Sequence, residues 1–571
     1  MKLPEINLSR PCLAAIAIVM VFLLAGAIGH DPWKPDEAYS FGLVLHILQS
    51  GQWIVPTLAG EPFMEKPPLY YLTAAASARL FSPWLALHDG ARLASAFYVG
   101  LAALLAGLAA RRFFGPGSGN RAALLLVGSF ALAPHAHEMI TDTALLAGFA
   151  LAILGLAFAL ERPRLAGAML GTGVGIGFMS KGLVEPAMMG SACLVLLAFR
   201  RFRSRAYLAS LAWALLFALP WLTVWPTLLY RENPELFGEW FWDNNFGRYF
   251  GLVRLGANDE PWFFTRTLPW FTFPVGVIAA GASIAGLWRR DDQFRAALEI
   301  NAAVAFSVIL VLGTSSTVRA LYALPLLLPL AILGSGFVHR VPARVGLLAS
   351  GLLAAVTLGA LAFAWWIWGH AFAHDGRVPS VEQLNRWLSP DFDFPFEPRA
   401  VAVAAAISIA WLALWGFRRV SWLHLWCANV TAFWGVYMVL LLPWIDNAKS
   451  FRAPFEDLGA EIVNPARCVG SMGLGEPQRA MLQYVAGITT VRREVEPRAC
   501  RYLVLQSRGS GRMPLLPMGD WDLLWEGRRP GERIERFQLW ESPRIEAHYA
   551  EGAGPRAAPS VTARARASAS D

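Results

Sequence analysis

The sequence predicts an all-α polytopic membrane protein with about thirteen transmembrane helices, followed by a small C-terminal α/β domain. Three observations support this fold class. Of the 571 residues, 56% are hydrophobic. Only 16% are charged, against about 25% in soluble proteins. Long apolar runs end in arginine clusters up to residue 446, and the composition becomes that of a soluble protein from Asn447 onward.

The transmembrane domain is predicted over residues 1–446, from apolar runs close to the length of about 20 residues that crosses a bilayer. The runs lie near residues 12–29, 91–110, 122–138, 143–160, 165–179, 183–199, 207–224, 268–288, 297–312, 321–337, 345–369, 400–417 and 422–444. The first also contains Ala25-Gly26-Ala27, which fits a signal-peptide cleavage site. We favour an uncleaved span because the run exceeds the usual apolar region of about 7–15 residues.

Arginine clusters orient these spans, because positive residues concentrate on the cytoplasmic side of a membrane. The clusters lie at residues 111–112, 200–205, 289–290 and 418–419. They place the N-terminus inside and the C-terminus outside. The net charge of +8 is therefore explained by arginines that orient the spans in the membrane. We expect the lipid bilayer as a partner and no nucleic acid.

Two shorter segments of the membrane region have their own interpretation. The segment from Leu69 to Phe81 is expected to be an interfacial amphipathic helix. The glycines of GTGVGIG at residues 171–177 lie inside an apolar run, where they favour close helix packing over nucleotide binding.

The C-terminal domain is predicted over residues 447–551, outside the membrane. Its segments CVGSMGL, EPQRAMLQYVAGI and CRYLVLQ suggest a strand, an amphipathic helix and a strand, and ERFQLWE suggests a further strand. Cys468 and Cys500 would begin two of the strands, and the sequence leaves open whether they form a disulfide. Residues 552–571, rich in Ala, Arg, Ser and Pro, are expected to be a disordered tail.

The predicted topology brings unusual polar residues to one face of the membrane. They are Asp36, Glu37, Glu65, Lys66, Asp142, Lys181, Arg248, Arg319 and Tyr322. Charged side chains near lipid are costly unless they are paired or functional. The sequence therefore predicts a single external site that these residues share.

Carboxylates together with several cations at a membrane surface favour an anionic, lipid-borne substrate such as a polyprenyl phosphate. Lys66, Lys181, Arg248 and Arg319, with Tyr322, are the candidate phosphate-binding residues, since cations stabilise a departing phosphate. We expect Asp36, with Asp142 as second choice, to act as general base. Glu37 would tune Asp36 through like-charge repulsion.

Each residue also has a structural interpretation. Lys66 could begin an interfacial helix, Arg248 and Arg319 could anchor lipid headgroups, and Asp142 could cap a helix. His135, His137 and Glu138 resemble a metal cluster, but such residues at a span end more often form an interfacial polar patch. Glu65 beside Lys66 could be half of an ion pair or a metal ligand.

The first external loop carries a family resemblance. The loop runs from His30 to Tyr71 and contains DE at 36–37, GQWIVP at 51–56 and KPPLYY at 66–71. It resembles the first periplasmic loop of bacterial GT-C glycosyltransferases related to lipid A 4-amino-4-deoxy-L-arabinose transferase, and more distantly the protein O-mannosyltransferases. Asp142, the SKG at 180–182, Arg248 and the RALY at 319–322 continue the resemblance downstream.

The resemblance implies a GT-C fold and an inverting transfer of a sugar from undecaprenyl phosphate to lipid A, another glycan or a protein. The active site and the C-terminal domain would face the periplasm, and the chain would lie in the bacterial inner membrane. No cofactor is certain. A divalent metal bound by Glu65 is an open alternative, weakened because Asn245 stands where the aminoarabinose enzymes carry a histidine.

Two alternatives remain at this point. A protein O-mannosyltransferase-like enzyme would use the same scaffold with a hydroxyl acceptor. A polyprenyl-linked glycan transporter or flippase would place polar groups at the bilayer midplane between repeated halves. The polar residues here cluster at one face, which favours the transferase.

Overall fold

The computed structural model describes residues 10–253, 260, 262–287, 291–374, 376–378, 385, 388, 392, 395–417, 420–463, 468–497, 500–507 and 512–542. The chain is mostly helical up to residue 460, with a mixed sheet near the C-terminus. The predicted tail at 552–571 and the arginines at 289–290 and 418–419 lie outside the described residues.

Six helices among the described residues are long and apolar enough to cross a membrane. They are Leu87–Phe114, Arg205–Glu232, Asp292–Gly313, Ala343–Ala373, Pro398–Gly416 and Trp422–Leu440. A seventh candidate is the pair Phe263–Phe271 and Val275–Leu287, which bends by 91°. These helices agree with seven of the predicted runs, so a multi-pass membrane protein is confirmed.

The other six predicted runs also contain helix, in shorter or broken pieces except for Pro163–Lys181, which has 19 residues but is not among the helices apolar enough to cross a membrane. They are Arg10–Leu24, Ser118–Val127 with Leu132–His135, Thr141–Leu156, Pro163–Lys181, Val184–Leu196, and the 3-10 helix Ala320–Leu326 with Leu327–Ser335. A 15-residue helix is only about 22 Å long, less than the bilayer core of about 30 Å. The number of thirteen spans therefore stays a prediction.

The remaining helices lie in the connections and near the C-terminus. They are Asp36–Ser50, Leu69–Phe81, Pro234–Gly238, the π-helix Glu239–Gly247, Arg248–Phe250, Leu442–Lys449, Arg452–Ala460 and Glu476–Ala486, with 3-10 turns at Arg200–Phe202 and Val338–Arg340. The predicted interfacial helix has the bounds Leu69–Phe81. Helix Leu442–Lys449 crosses the predicted domain boundary at residue 446.

Glycines bring the helix Pro163–Lys181 close to two neighbours. A Cβ on Gly171 would lie 2.2 Å from the Ala214 carbonyl oxygen, and one on Gly173 would lie 2.6 Å from the Gly148 oxygen. The first contact joins helix Arg205–Glu232, and the second joins helix Thr141–Leu156. The GTGVGIG segment therefore packs helices, as predicted, and it fixes the helix end that carries Lys181 beside the one that carries Asp142.

The C-terminal domain contains a five-stranded sheet in the order β4-β3-β5-β7-β6. Its strands are β3 Val469–Met472, β4 Thr490–Arg492, β5 Tyr502–Gln506, β6 Asp522–Gly527 and β7 Phe537–Glu541, while β1 Thr57–Leu58 and β2 Glu61–Pro62 form a hairpin in the first loop. Strand β3 is parallel to β4 and β5, and β7 is antiparallel to β5 and β6. The predicted strands and helix are present, whereas β4 and β6 were not predicted.

Cys468 and Cys500 are joined by a disulfide with a Cα–Cα distance of 5.1 Å. They precede the adjacent parallel strands β3 and β5, in which Val469 is paired with Tyr502. The bond closes a sequence separation of 32 residues. It answers the question that the sequence left open.

Replacing both cysteines by Ala is expected to lower the free energy of unfolding of the C-terminal domain by about 3–4 kcal/mol, since a crosslink restricts the unfolded chain. Thermal unfolding of the purified protein measures the change. As a control, a reducing agent should lower the melting temperature of the wild type and leave that of the double variant unchanged. A wild type insensitive to reduction would contradict the prediction.

Candidate active site

Asp36 lies at the N-terminus of helix Asp36–Ser50, where acidic residues are favoured by the helix dipole. The residue is 8% exposed, and its carboxylate accepts a hydrogen bond of 2.7 Å from the Tyr39 hydroxyl. Lys66 Nζ donates in turn to that hydroxyl at 2.8 Å. Asp36 and Lys66, at opposite ends of the first loop, are thereby connected through one tyrosine.

Arg319 binds both carboxylate oxygens of Asp36. Its Nη1 lies 3.0 Å from Oδ1, and its Nη2 contacts Oδ2. Arg319 precedes the 3-10 helix Ala320–Leu326, which also carries Tyr322. A bidentate Arg–carboxylate pair is geometrically specific, so it holds this distant turn against the first loop.

Two further ion pairs complete the cluster. Lys181 contacts Asp142, and Arg248 contacts Glu65. Tyr322 lies between them, because Arg248 Nη2 donates to its hydroxyl at 3.3 Å and Lys181 Nζ lies 4.0 Å from its ring centroid. Glu65 thus pairs with Arg248, which follows the π-helix Glu239–Gly247, whereas the sequence suggested Lys66.

Glu37 faces away from this cluster, which corrects the expected acid pair. Its Oε1 accepts from Arg92 Nε at 2.8 Å and from the Met139 backbone N–H at 3.2 Å. Successive helical residues differ by about 100° in direction, so adjacent acids on one helix cannot share a target. The structure therefore does not place the Glu37 carboxylate where it would repel Asp36 directly.

Asn245 connects the π-helix Glu239–Gly247 to the turn after Lys181. Its Oδ1 accepts from the Leu183 backbone N–H at 3.0 Å, and its Nδ2 donates to the Trp240 carbonyl oxygen at 2.8 Å. A Cβ on Gly182, which has a φ of +70°, would lie 2.4 Å from Asn245 Oδ1. The Asn245 side chain is thus committed to backbone hydrogen bonds.

The suggested histidine cluster is divided between two environments. His137 is buried, and its two ring nitrogens lie 2.5 and 2.8 Å from the Phe22 and Ala133 carbonyl oxygens. His135 pairs with Glu138 at 3.1 Å. Within the described part of the chain, no group of three or more His, Cys, Asp or Glu side chains is arranged to hold a metal ion.

A cavity of about 280 Å³ opens beside the cluster. Of the predicted residues, it is lined by Glu65, Lys66, Lys181, Arg248 and Tyr322. Its other wall is largely apolar and includes Leu145, Leu183, Val184, Ala187, Met188, Phe246, Phe250, Val311 and Leu312. Three cations against one carboxylate, facing an apolar wall, suit an amphiphile with an anionic headgroup.

The charges of the cluster are mutually stabilised. Burial alone would raise the pKa of the Asp36 carboxyl, but the hydrogen bonds from Arg319 and the charge of Lys66 outweigh burial and lower that pKa to about 2. Burial likewise opposes the charge on Lys66, yet the carboxylates of Glu65 and Asp36 raise the pKa of its ammonium group. Asp36 and Lys66 are therefore both ionised near neutral pH.

The chain is similar in sequence and in fold to known proteins. The family described as dolichyl-phosphate-mannose-protein mannosyltransferase matches residues 65–225. Undecaprenyl phosphate-alpha-4-amino-4-deoxy-L-arabinose arabinosyl transferase 1 of Pseudomonas fluorescens is 30% identical over 56% of this chain and 56% of the relative. The same-named transferase of Pseudomonas aeruginosa is 28% identical over 76% of this chain and 75% of the relative.

The crystal structure of ArnT from Cupriavidus metallidurans bound to undecaprenyl phosphate has a TM-score of 0.66 and covers 95% of this chain and 99% of its own. The chain is similar to these transferases. At 16% identity the structural match shows the aminoarabinose transferase fold alone. The chain spans a little over half the length of the first curated relatives it matches.

Three residues beside the site were not predicted to contribute to it. Tyr39 follows Asp36 by three positions, the spacing that puts two side chains on the same helix face. Arg92 is a charge within an apolar run, which was itself a signal. The contact of Asn245 with Leu183 joins segments far apart in the chain, and nothing local in the sequence indicates it.

Proposed function

We propose that this chain is an inverting glycosyltransferase, which moves a sugar from undecaprenyl phosphate to an acceptor at the periplasmic face of the bacterial inner membrane. The observation that carries the proposal is the cavity in which Lys66, Lys181 and Arg248 face an apolar wall. A polyprenyl phosphate would match both surfaces. The names of the relatives support the same donor.

In this proposal the acceptor oxygen attacks the anomeric carbon as the bond to the donor phosphate oxygen breaks. Negative charge develops on the departing polyprenyl phosphate, and Lys66, Lys181 and Arg248 stabilise it electrostatically. Tyr322 would orient two of these cations through the contacts described above. Asp142 would hold Lys181, and Glu65 would hold Arg248.

The environment of Asp36 favours an acceptor that is already anionic. A carboxylate whose pKa is about 2 is a weak base, because efficient proton abstraction needs a pKa nearer the working pH. A phosphate acceptor, such as the phosphate of lipid A, can attack through an oxygen that carries no proton. Asp36 would then act by holding Arg319 and Lys66 in place.

A hydroxyl acceptor on a protein or glycan is the second candidate, and the match to the mannosyltransferase family at residues 65–225 favours it. It would require Arg319 to leave Asp36 for the donor phosphate, which would raise the pKa of Asp36 toward the useful range. A transporter fits the structure less well, because it would place polar groups near the middle of its helices. Here the polar residues meet at helix ends, with Asp142 near the start of Thr141–Leu156 and Lys181 at the end of Pro163–Lys181.

The deciding experiment compares lipid A, glycans and periplasmic proteins by mass spectrometry in cells with and without the gene. A pentose or hexose adduct on lipid A that requires the gene supports the proposal, and purified protein with a polyprenyl phosphate sugar should reproduce it. An adduct on protein supports the mannosyltransferase-like alternative. Unchanged products with an altered distribution of lipid-linked sugar across the membrane would support a flippase.

The periplasmic position of the site predicts the outcome of cysteine labelling. Gln52 is exposed in the first loop, and Arg203 is exposed in the cluster predicted to be cytoplasmic. Gln52→Cys is expected to react with a membrane-impermeant maleimide added to intact spheroplasts, and Arg203→Cys only after permeabilisation. The reverse pattern would invert the topology.

A further inference from the structure

We propose that Arg92, acting through Glu37, is a positioning residue that fixes the backbone segments carrying Asp36 and Asp142 relative to each other. The inference rests on the proposed function, in which both acids belong to one reaction centre. Arg92 is 0% exposed and does not line the cavity. Any effect on the reaction must therefore pass through its hydrogen-bond partners.

Arg92 holds the start of the first loop with its whole guanidinium group. Its Nε donates to Glu37 Oε1 at 2.8 Å, its Nη1 donates to Asp89 Oδ1 at 2.8 Å, and its Nη2 donates to the His30 carbonyl oxygen at 3.0 Å. A planar fork with this many partners fixes both a position and an orientation. The loop entering helix Asp36–Ser50 is thereby attached to helix Leu87–Phe114.

Glu37 extends the attachment to a third segment. The oxygen that receives Arg92 Nε also accepts the Met139 backbone N–H at 3.2 Å, and Oε2 accepts the Trp33 backbone N–H at 3.2 Å. Met139 lies three residues before Asp142. One carboxylate thus joins the backbone beside Asp36 to the backbone that leads into the Asp142 helix.

Helix Leu87–Phe114 contacts the same segment a second time. Ser95, one turn after Arg92, donates from its hydroxyl to the Glu138 carbonyl oxygen at 2.7 Å. Both contacts lie on the buried side of the helix. The segment before Asp142 is therefore held at two successive residues, so a displacement of Glu37 would be transmitted to it.

The test substitutes Arg92→Lys, which retains the charge but not the fork, since a lysine ammonium cannot reproduce the planar set of bonds. A matched control is Arg529→Lys in the C-terminal domain. Arg529 is also buried, donates to the Glu535 carboxylate from Nε at 2.8 Å and donates to the Lys449 carbonyl oxygen at 3.0 Å. Both changes remove a buried arginine fork. Arg529 contacts the first loop through Glu535, which accepts from Lys34 at 2.9 Å, whereas Arg92 also reaches the segment before Asp142 through Glu37 and Met139.

We expect kcat of Arg92→Lys to fall about 100-fold, the size of effect that a displacement of about 1 Å can produce. The donor KM should change little, because Arg92 touches none of Lys66, Lys181 and Arg248. Arg529→Lys should lose melting temperature to a similar extent but keep its kcat. Wild-type kcat in Arg92→Lys, or an equal loss in both variants after correction for folded protein, would overturn the inference.

Hydrogen–deuterium exchange separates this inference from the proposed function. Peptides that contain residues 33–38 and 138–143 should both lose protection in Arg92→Lys, whereas the peptide with residues 138–143 should keep its protection in Arg529→Lys. If they do while wild-type protein transfers no sugar, the positioning role stands and the function fails. Unchanged exchange overturns the positioning role whatever the activity. If Arg92→Lys does not fold, Glu37→Gln gives the same comparison, because it keeps the side-chain volume.

Discussion

Replacing Asp36 by Asn is expected to lower the turnover number about 100- to 1000-fold, because the charge that Arg319, Tyr39 and Lys66 surround is lost. Asn retains the size and an acceptor oxygen, so the hydrogen bond from Tyr39 can persist and the protein should fold. Initial rates of sugar transfer from a polyprenyl phosphate donor measure the loss. Since the pKa of Asp36 is about 2, its protonation should not limit the wild-type rate near neutral pH.

Asp31→Asn provides the matched control for this variant. Asp31 is a buried acid of the same loop that accepts hydrogen bonds from Arg452 Nε at 2.9 Å and from Ser450 at 2.6 Å, outside the cluster around Asp36. It should lose stability and keep its turnover number per folded molecule. Wild-type turnover by Asp36→Asn would remove Asp36 from the site.

Replacing Lys66 by Ala is expected to reduce kcat/KM for the donor about 100- to 1000-fold. The ammonium group lines the cavity and is the counter-charge shared by Glu65 and Asp36. Its removal takes away a cation for the departing phosphate and leaves the two carboxylates to repel each other. Titration of the donor lipid in steady-state assays separates the effect on KM from that on kcat.

Lys34→Ala is the control for Lys66→Ala. Lys34 lies in the same loop, but its Nζ is paired with Glu535 of the C-terminal domain at 2.9 Å. This variant should be active. Equal activity of both variants would show that Lys66 only begins the helix Leu69–Phe81, the structural alternative that the sequence left open.

The sequence predicted the helices of the membrane region well because hydropathy depends only on local composition. Every predicted run contains helix, and Leu69–Phe81 begins and ends as expected. The breaks were harder to predict. The interruptions around residues 128–131, at Pro274 and at the 3-10 helix Ala320–Leu326 depend on packing between elements, which a window of apolar residues does not contain.

The sequence predicted which residues form the candidate site but not which side chains pair with each other. Asp36, Lys66, Asp142, Lys181, Arg248 and Arg319 do meet in space. Their catalytic and binding roles stay predictions. The pairing of Glu65 with Arg248 and of Glu37 with Arg92 depends on contacts between segments 183 and 55 residues apart. Only the divergence of Asp36 from Glu37 could have been predicted, from the rotation between adjacent helical residues.

Gly42 limits how the two domains can be recombined. It lies on helix Asp36–Ser50, where a Cβ would approach the Leu58 side chain to 2.5 Å and the Ala480 side chain of helix Glu476–Ala486 to 2.7 Å. The helix that begins at Asp36 therefore rests directly on the C-terminal domain. A chimera with the C-terminal domain of a relative will need a side chain as small as Ala at the position of Ala480, or the graft will tilt the helix that carries Asp36.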